Sequence, residues 1–265
     1  QWTSIKDKFP YLYPNIEDAN FAQRISEKKE FNDTKYDGAI HDVTSHAEKI
    51  CNKKFELAPH QQFVKNFLSQ ETPYNSLLLY HGLGSGKTCT AIGVAEEMRS
   101  YMKQIGSIKS IIVVASPNVQ ENFKLQLFDP SKLELVDGFW NIKNCVGNVF
   151  LNEVNPMKAK NISKDKIISD MQKIINSYYS FYGYTEFANL IIKNSNIDSN
   201  LVKNREKYIK KRLNQIYSGR LVIIDEVHNI RISDDNKDKR VAQQLFRLVS
   251  DVDNLRLLLL SATPL

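Results

Sequence analysis

The sequence predicts an α/β fold, in which a parallel β-sheet carries helices on both of its faces. Three observations predict it. Short apolar runs alternate with helical patterns, a glycine-rich segment joins the first run to a helix, and polar or acidic residues follow the later runs. Continuously apolar strands are typical of parallel sheets that are buried on both faces. Ligands bind beyond the carboxyl ends of such strands, so the residues that follow the runs are the candidates for chemistry.

The predicted strands cover residues 77–80, 111–115, 221–224 and 255–260. Glycines and a helix over residues 90–98 follow the first strand. Three groups of residues follow the other strands in order: Pro117, then Asp225 and Glu226, then Ser261 and Thr263.

Three regions are predicted along the chain. Residues 1–55 form a polar N-terminal extension, residues 56–265 form the α/β domain, and about residues 129–200 are inserted into its sheet.

Composition and length exclude several classes of protein. The 265 residues are 42% hydrophobic and 25% charged, which is ordinary for a globular protein. No apolar run approaches the roughly 18 residues of a membrane span, so we expect no integral membrane protein. The cysteines, Cys51, Cys89 and Cys145, are odd in number and widely spaced, which fits neither a disulfide framework nor a zinc site. A reducing compartment is therefore expected.

Positive charge is concentrated in one segment. The net charge is +6, and residues 158–212 hold twelve Lys or Arg against five Asp or Glu, a net charge of +7. Within this segment Val202, Ile209, Leu213 and Ile216 predict a helix with an apolar seam and a basic exterior. Two interpretations stay open: a surface for a phosphate backbone, with Lys210, Lys211 and Arg212 as contacts, or a solvated lysine-rich surface.

The glycine-rich segment has the pattern of a phosphate-binding loop. Residues 81–88 read His-Gly-Leu-Gly-Ser-Gly-Lys-Thr and lie between a predicted strand and a predicted helix. Backbone N–H groups of such a loop point at a polyphosphate, and the helix N-terminus adds positive potential. The candidate nucleotide-binding residues are Gly82, Gly84, Ser85, Gly86, Lys87 and Thr88. The strict motif has glycine where His81 stands, and a purely structural glycine turn is the alternative.

An acidic box follows the third predicted strand. Residues 225–228 read Asp-Glu-Val-His. Asp225 can hold Mg²⁺ together with the Thr88 hydroxyl, and Glu226 can activate a water molecule. An ordinary strand leaving the core is the alternative interpretation, and His228 on its own is more often structural than catalytic.

These segments resemble motifs I, II and III of superfamily 2 helicases, with the third motif at Ser261-Ala262-Thr263. The resemblance implies a RecA-like P-loop domain that binds ATP and Mg²⁺ and is the first of two motor domains, with the second outside this chain. Residues 57–61 resemble the adenine-recognising segment, with Gln61 as its amide. Residues 115–118 resemble motif Ia, which implies that Pro117 and Asn118 contact nucleic acid. Ser261 and Thr263 are implied to couple ATP hydrolysis to movement.

Four further segments resemble large helicases of nucleocytoplasmic large DNA viruses: residues 13–21, 72–74, 80–82 and 181–187. The asfarvirus helicase group resembles them most, and the poxvirus early transcription factor and nucleoside triphosphate phosphohydrolase are related. The resemblance implies an ATP-dependent motor on DNA or RNA in viral transcription or genome handling, and it suggests a viral RNA polymerase as a partner. It also implies a location in the host cytoplasm or the virion.

Other functions stay open at this point. The protein can be a helicase, a transcription factor ATPase that remodels DNA without separating its strands, or a non-catalytic scaffold subunit. The ring-rich residues 181–187 can stack on bases or can pack into the fold.

Overall fold

The computed structural model describes residues 12–36, 38–39, 42, 56–80, 82, 84, 86–196, 204–230 and 236–263. Described residues fall into two compact units. The first lies within Gln1–Tyr74, Thr88–Ile105 and Lys124–Ile175, and the second within Asn75–Lys87, Gly106–Phe123 and Asn176–Leu265. In the described part of the chain, no helix combines the length and the apolar character of a membrane span.

The second unit is built on a parallel sheet of five strands. The strands are β1 (Ser76–Tyr80), β2 (Ile111–Val114), β5 (Tyr179–Tyr182), β6 (Leu221–Ile224) and β7 (Arg256–Ser261), in the order β1-β7-β6-β2-β5. Every pairing between neighbours is parallel. All positions of β2 and β6 are buried, so both faces of these central strands are covered. The predicted fold class is confirmed.

Strand β5 lies inside the segment that we predicted as an insertion. Its sequence, Tyr-Ser-Phe-Tyr, has no aliphatic run, so the apolar pattern does not identify it. It nevertheless pairs with β2 along its length. The Phe181 ring packs against Phe123, 6.0 Å between ring centroids, and against Tyr179 at 6.3 Å. Of the two interpretations of residues 181–187, these contacts favour packing for Phe181.

Described helices occur in both units. In chain order they are α1 (Phe21–Ser26), α2 (Lys29–Asn32), α3 (Pro59–Phe67), α4 (Lys87–Gln104), α5 (Pro117–Leu127), α6 (Val149–Val154), α7 (Lys164–Tyr178), α8 (Tyr184–Ser195), α9 (Arg205–Tyr217) and α10 (Asn236–Asp251).

Three helices build the core of the second unit. Phe187 and Ile191 of α8, and Ile209 and Leu213 of α9, join apolar residues of β2, β6 and α10 in one buried cluster. The apolar seam predicted from the sequence is thus the buried face of α9, with Ile216 partly buried; Val202 lies outside the described residues. Lys210, Lys211 and Arg212 are exposed, as the predicted basic exterior requires.

The described part of the N-terminal extension packs within the first unit. Phe31 is buried and its ring lies 4.9 Å from that of Phe63 on α3. The Tyr74 hydroxyl donates to the Pro14 carbonyl at 2.8 Å, and its ring stacks on Phe67 at 4.4 Å. Residues 13–21, which carry part of the viral resemblance, therefore help to build this aromatic core.

The first unit also contains a β-hairpin that we did not predict. Strands β3 (Leu133–Val136) and β4 (Phe139–Ile142) are antiparallel. Asp137 and Gly138 join them with φ values of 52° and 83°. Positive φ at both central residues is the type I′ geometry that Asp-Gly favours, so the Asp-Gly pair between apolar runs was the available signal.

The cysteine prediction differs from the structure. Cys89 on α4 and Cys145 form a disulfide within the first unit. Sequence spacing gave no indication of it, because residues that are 56 positions apart meet only through the tertiary fold. Cys51 lies outside the described residues.

A buried ion-pair network ties α4 to α6. Arg99 is 2% exposed, and its guanidinium donates to Glu96 and to both carboxylate oxygens of Glu153, at 2.7 and 3.0 Å. Lys103 also pairs with Glu153, but its side chain is 42% exposed. The guanidinium further lies 4.8 Å from the centre of the Phe150 ring. Arg99 therefore forms hydrogen-bonded ion pairs with two carboxylates inside the first unit.

We expect Arg99→Ala to lower the free energy of unfolding by about 3–5 kcal/mol, because removing one partner of a buried pair leaves charge without compensation. Lys103→Ala is the matched control, since it removes an exposed partner of the same carboxylate, and should cost about 1 kcal/mol or less. Urea unfolding of both variants measures the difference. Equal losses would contradict the buried network.

Candidate nucleotide and nucleic-acid site

Four predicted motifs lie at the carboxyl ends of adjacent strands in the second unit. The phosphate-binding loop follows β1, Ser261 ends β7, Asp225 follows β6 and Ser116 comes after β2. The register is continuous, because Tyr80 pairs with Ser261 and Val114 pairs with Ile224. Sequence analysis predicted the position of each motif at a strand end. The structure adds that β1, β7, β6 and β2 are neighbours in this order.

Two of the described glycines in the loop have a left-handed backbone. Gly84 and Gly86 both have φ of +79°, which L side chains rarely adopt. Lys87 begins α4, and its Nζ donates to the Gly82 carbonyl oxygen at 3.0 Å. The ammonium group is thus bound to the loop itself. A bound phosphate would compete with the Gly82 carbonyl for it. Ser85 and His81 lie outside the described residues.

Asp225 is the buried acid of the site. It is 7% exposed, and its backbone N–H donates to the Val114 carbonyl at 3.0 Å, which extends the β2–β6 ladder by one bond. The pKa of its carboxyl is raised, chiefly because burial disfavours the charged form. The charge of Glu226 adds to this rise. The hydrogen bond from the Glu226 backbone N–H and the charges of Lys87 and His228 lower the pKa.

Glu226 stands in a conformation that is unusual for its residue type. Its φ and ψ are 50° and 49°, in the left-handed region, and its backbone N–H donates to Asp225 Oδ1 at 2.8 Å. Such a backbone costs about 1–3 kcal/mol and persists only where surrounding contacts hold it. The 3₁₀ turn Val227–Asn229 follows directly, and Asn229 Nδ2 lies 3.4 Å from Glu226 Oε2.

His228 connects the acidic box to the end of β7. Its Nδ1 lies 3.2 Å from Ser261 Oγ, and Ser261 is 1% exposed. The Ser261 hydroxyl in turn donates to the Thr263 carbonyl at 2.7 Å. His228, Ser261 and Thr263 are therefore joined in one chain of polar contacts between the two motifs.

The predicted nucleic-acid contacts lie on two separate elements. Pro117 and Asn118 are exposed in the first turn of α5, directly after β2. The Ala115 carbonyl before them accepts from Gln120 at 2.8 Å, which fixes the start of this helix. Lys210, Lys211 and Arg212 are exposed on α9. The structure does not bring these two groups together in any described contact.

Gln61 and Thr88 lie in the first unit. Gln61 is 7% exposed on α3, and its Oε1 accepts from the Ala58 N–H at 2.9 Å at the start of that helix. Leu57, in the same segment, packs on α4, where a Cβ on Gly93 would lie 3.1 Å from its Cδ1. Thr88 follows Lys87 on α4. The roles of Gln61 in adenine binding and of Thr88 in metal binding stay predictions.

Comparison with known proteins identifies the family. Residues 54–265 match the family described as "Type III restriction enzyme, res subunit". The chain belongs to this family. The match covers the loop, the acidic box and the Ser-Ala-Thr segment, so the predicted relation to P-loop helicases is confirmed.

Viral relatives agree with the family. A protein of Acanthamoeba polyphaga mimivirus named "Putative ATP-dependent RNA helicase R563" is 30% identical over 258 residues, which are 96% of this chain and 37% of that protein. "Putative helicase 087L" of Invertebrate iridescent virus 3 is 25% identical over 261 residues, 96% of this chain and 22% of that protein. The "Early transcription factor large subunit homolog" of African swine fever virus is 24% identical over 326 aligned residues, 95% of this chain and 28% of that protein. The chain thus spans less than two fifths of these relatives.

Proposed function

We propose that this chain is the first motor domain of an ATP-dependent nucleic-acid motor of a large DNA virus, which hydrolyses ATP to unwind or translocate on DNA or RNA. The observation that carries the proposal is the placement of Lys87, Asp225, Glu226 and Ser261 at the carboxyl ends of neighbouring strands. A glycine-rich loop with its lysine and two acids at one sheet edge are the groups that phosphoryl transfer needs, and Ser261 beside them is the proposed coupling residue. Family membership and the names of the viral relatives support it.

In the proposed reaction each residue has a separate task. Backbone N–H groups of the loop bind phosphate oxygens, and Lys87 leaves the Gly82 carbonyl for the β and γ phosphates. Glu226 orients a water molecule and takes its proton. The contact between His228 and Ser261 transmits the structural change that hydrolysis causes at the acidic box to the end of β7.

We propose Mg²⁺ as the metal, with Asp225 and the Thr88 hydroxyl as its protein ligands. The donors fit, because Mg²⁺ prefers oxygen ligands and uses one or two carboxylates together with substrate phosphates. A cation beside Asp225 would also favour the charged form that burial disfavours. When bound, the metal supplies positive charge to the phosphate oxygens.

A transcription role is the second candidate. The African swine fever virus relative is named as an early transcription factor subunit homolog, which supports an ATPase that remodels DNA without separating its strands. In this version a viral RNA polymerase is the proposed partner. Both versions include a second RecA-like domain in the full-length protein and action in the host cytoplasm or the virion.

Two assays on the full-length protein separate the candidates. Strand displacement is measured on a forked duplex, and translocation is measured by displacement of streptavidin from a biotinylated strand. A helicase gives both signals with ATP, whereas a remodelling factor gives the second alone. Absence of both signals would reject the motor.

The basic face of α9 is the proposed site for the nucleic-acid backbone. We expect replacement of Lys210, Lys211 and Arg212 by glutamine to weaken binding uniformly across sequences. The slope of log K against log salt should become shallower by up to about 0.7 per lost contact on single strands, or about 0.9 on duplex. Fluorescence anisotropy at several salt concentrations measures it.

The matched control for this variant replaces the exposed Lys29, Lys35 and Lys143, which lie outside the basic segment and carry the same total charge. It should leave the slope unchanged. If the α9 variant keeps the wild-type slope, or if both variants change it equally, the face is an ordinary solvated surface.

A further inference from the structure

One side chain connects the ends of β5 and β6 in the second unit. Tyr184 begins α8, two residues after β5 ends. Its hydroxyl donates to the Asp225 carbonyl oxygen, at 2.8 Å. Strand β2 lies between β5 and β6, so the tyrosine reaches across the width of two strand spacings, about 10 Å.

Two further polar groups act on the Tyr184 hydroxyl. The Ser116 backbone N–H and the Asn229 side-chain amide both lower its pKa, and the Ala115 N–H, next to Ser116, donates to the Tyr182 carbonyl at 3.0 Å. Ser116 directly precedes the exposed Pro117 and Asn118, and Asn229 closes the 3₁₀ turn after Glu226. Tyr184 therefore contacts the acidic box directly and lies next to the residue pair that ties the end of β2 to β5.

The peptide group that Tyr184 holds is the one that sets the direction of Glu226. Tyr184 binds the carbonyl of the Asp225–Glu226 peptide, while the N–H of the same peptide donates to Asp225 Oδ1 at 2.8 Å. Both ends of one peptide plane are thus fixed, and the next residue has the left-handed φ of 50°. Rotation of this plane would redirect the Glu226 carboxylate.

We propose that Tyr184 is a positioning residue that links the segment at Ser116–Asn118 to the peptide between Asp225 and Glu226, so that contact of nucleic acid with that segment changes the orientation of Glu226. The proposal rests on the proposed ATPase function.

The test compares Tyr184→Phe with Tyr182→Phe in the full-length protein. Tyr182 is the matched control: it is also half-buried, it lies on β5 two residues earlier, and its ring packs 5.9 Å from that of Phe187. Steady-state ATP hydrolysis is measured with and without single-stranded oligo(dT) and oligo(rU). Melting temperatures establish that both variants fold.

We expect Tyr184→Phe to lower kcat with nucleic acid about fivefold, the factor that one net hydrogen bond of about 1 kcal/mol represents. KM for ATP should stay at the wild-type value, and stimulation by the oligonucleotides should fall. Tyr182→Phe should change neither quantity. If the loss of either tyrosine hydroxyl acted only through the structure, kcat would instead fall equally in both variants.

Asn229→Ala provides a second variant on an exposed residue. It removes the amide that lies 3.4 Å from Glu226 Oε2 and that acts on the same hydroxyl, so it should also lower kcat, and the combined variant should lose less than the product of the two single losses. Wild-type kcat and stimulation in Tyr184→Phe, or equal losses in Tyr182→Phe, would overturn the inference. If Lys87→Ala keeps full activity, the proposed function itself fails, and this result is distinguishable from failure of the link.

Discussion

Replacement of Lys87 by alanine in the full-length protein is expected to abolish ATP hydrolysis, with a fall in kcat of at least about 100-fold. Removing one preorganised group that stabilises developing charge costs about that much in other enzymes. Here the Lys87 ammonium donates to the Gly82 carbonyl of the loop, and it is the cation that we propose to reach the phosphates. Phosphate release at saturating nucleic acid measures the effect.

Lys143→Ala is the control for this experiment, because Lys143 is exposed and lies outside the loop. It should retain wild-type turnover. Turnover in Lys87→Ala that equals that of Lys143→Ala would show that the glycine-rich segment is a structural turn and not a nucleotide site.

The second large effect concerns Glu226. We expect Glu226→Gln to lower kcat by about 10²–10⁴, the usual contribution of a general base, while ATP still binds. Glutamine keeps the size of the side chain but cannot accept the proton from water. ATP binding is measured with a fluorescent ATP analogue, and hydrolysis is measured by phosphate release on the same preparations.

Glu134→Gln on the β3–β4 hairpin is the matched control, since it makes the same substitution at an exposed residue of the first unit. It should change neither quantity. A Glu226→Gln variant that hydrolyses ATP normally would remove Glu226 from the reaction, whereas loss of ATP binding would assign it a binding role.

Much of the fold was predictable because its central strands are aliphatic and buried on both sides. Strands β2 and β6 stand out for this reason, and the glycine loop and the acidic pair mark the ends of β1 and β6. Strand β5 was missed, since its two tyrosines and its serine do not form an apolar run. It forms a strand because the backbone of β2 pairs with it along its length and because Phe123 packs against Phe181.

The site was predictable in its residues but not in its connections. The order of the motifs predicted Lys87, Asp225 and Glu226, because their ammonium and carboxylate groups have the chemistry that a nucleotide site needs. The left-handed backbone of Glu226 and the bond from Tyr184 could not be read from the sequence, because both depend on which strands are neighbours. The disulfide between Cys89 and Cys145 depends on the tertiary fold in the same way.

The central claim is that this chain is part of an ATPase whose turnover depends on nucleic acid. Its most direct test is the rate of phosphate release by the full-length protein at saturating ATP and Mg²⁺, measured with and without single-stranded oligonucleotide. We predict ATP hydrolysis that increases in the presence of the oligonucleotide. No hydrolysis, or the same rate with and without the oligonucleotide, would contradict the claim.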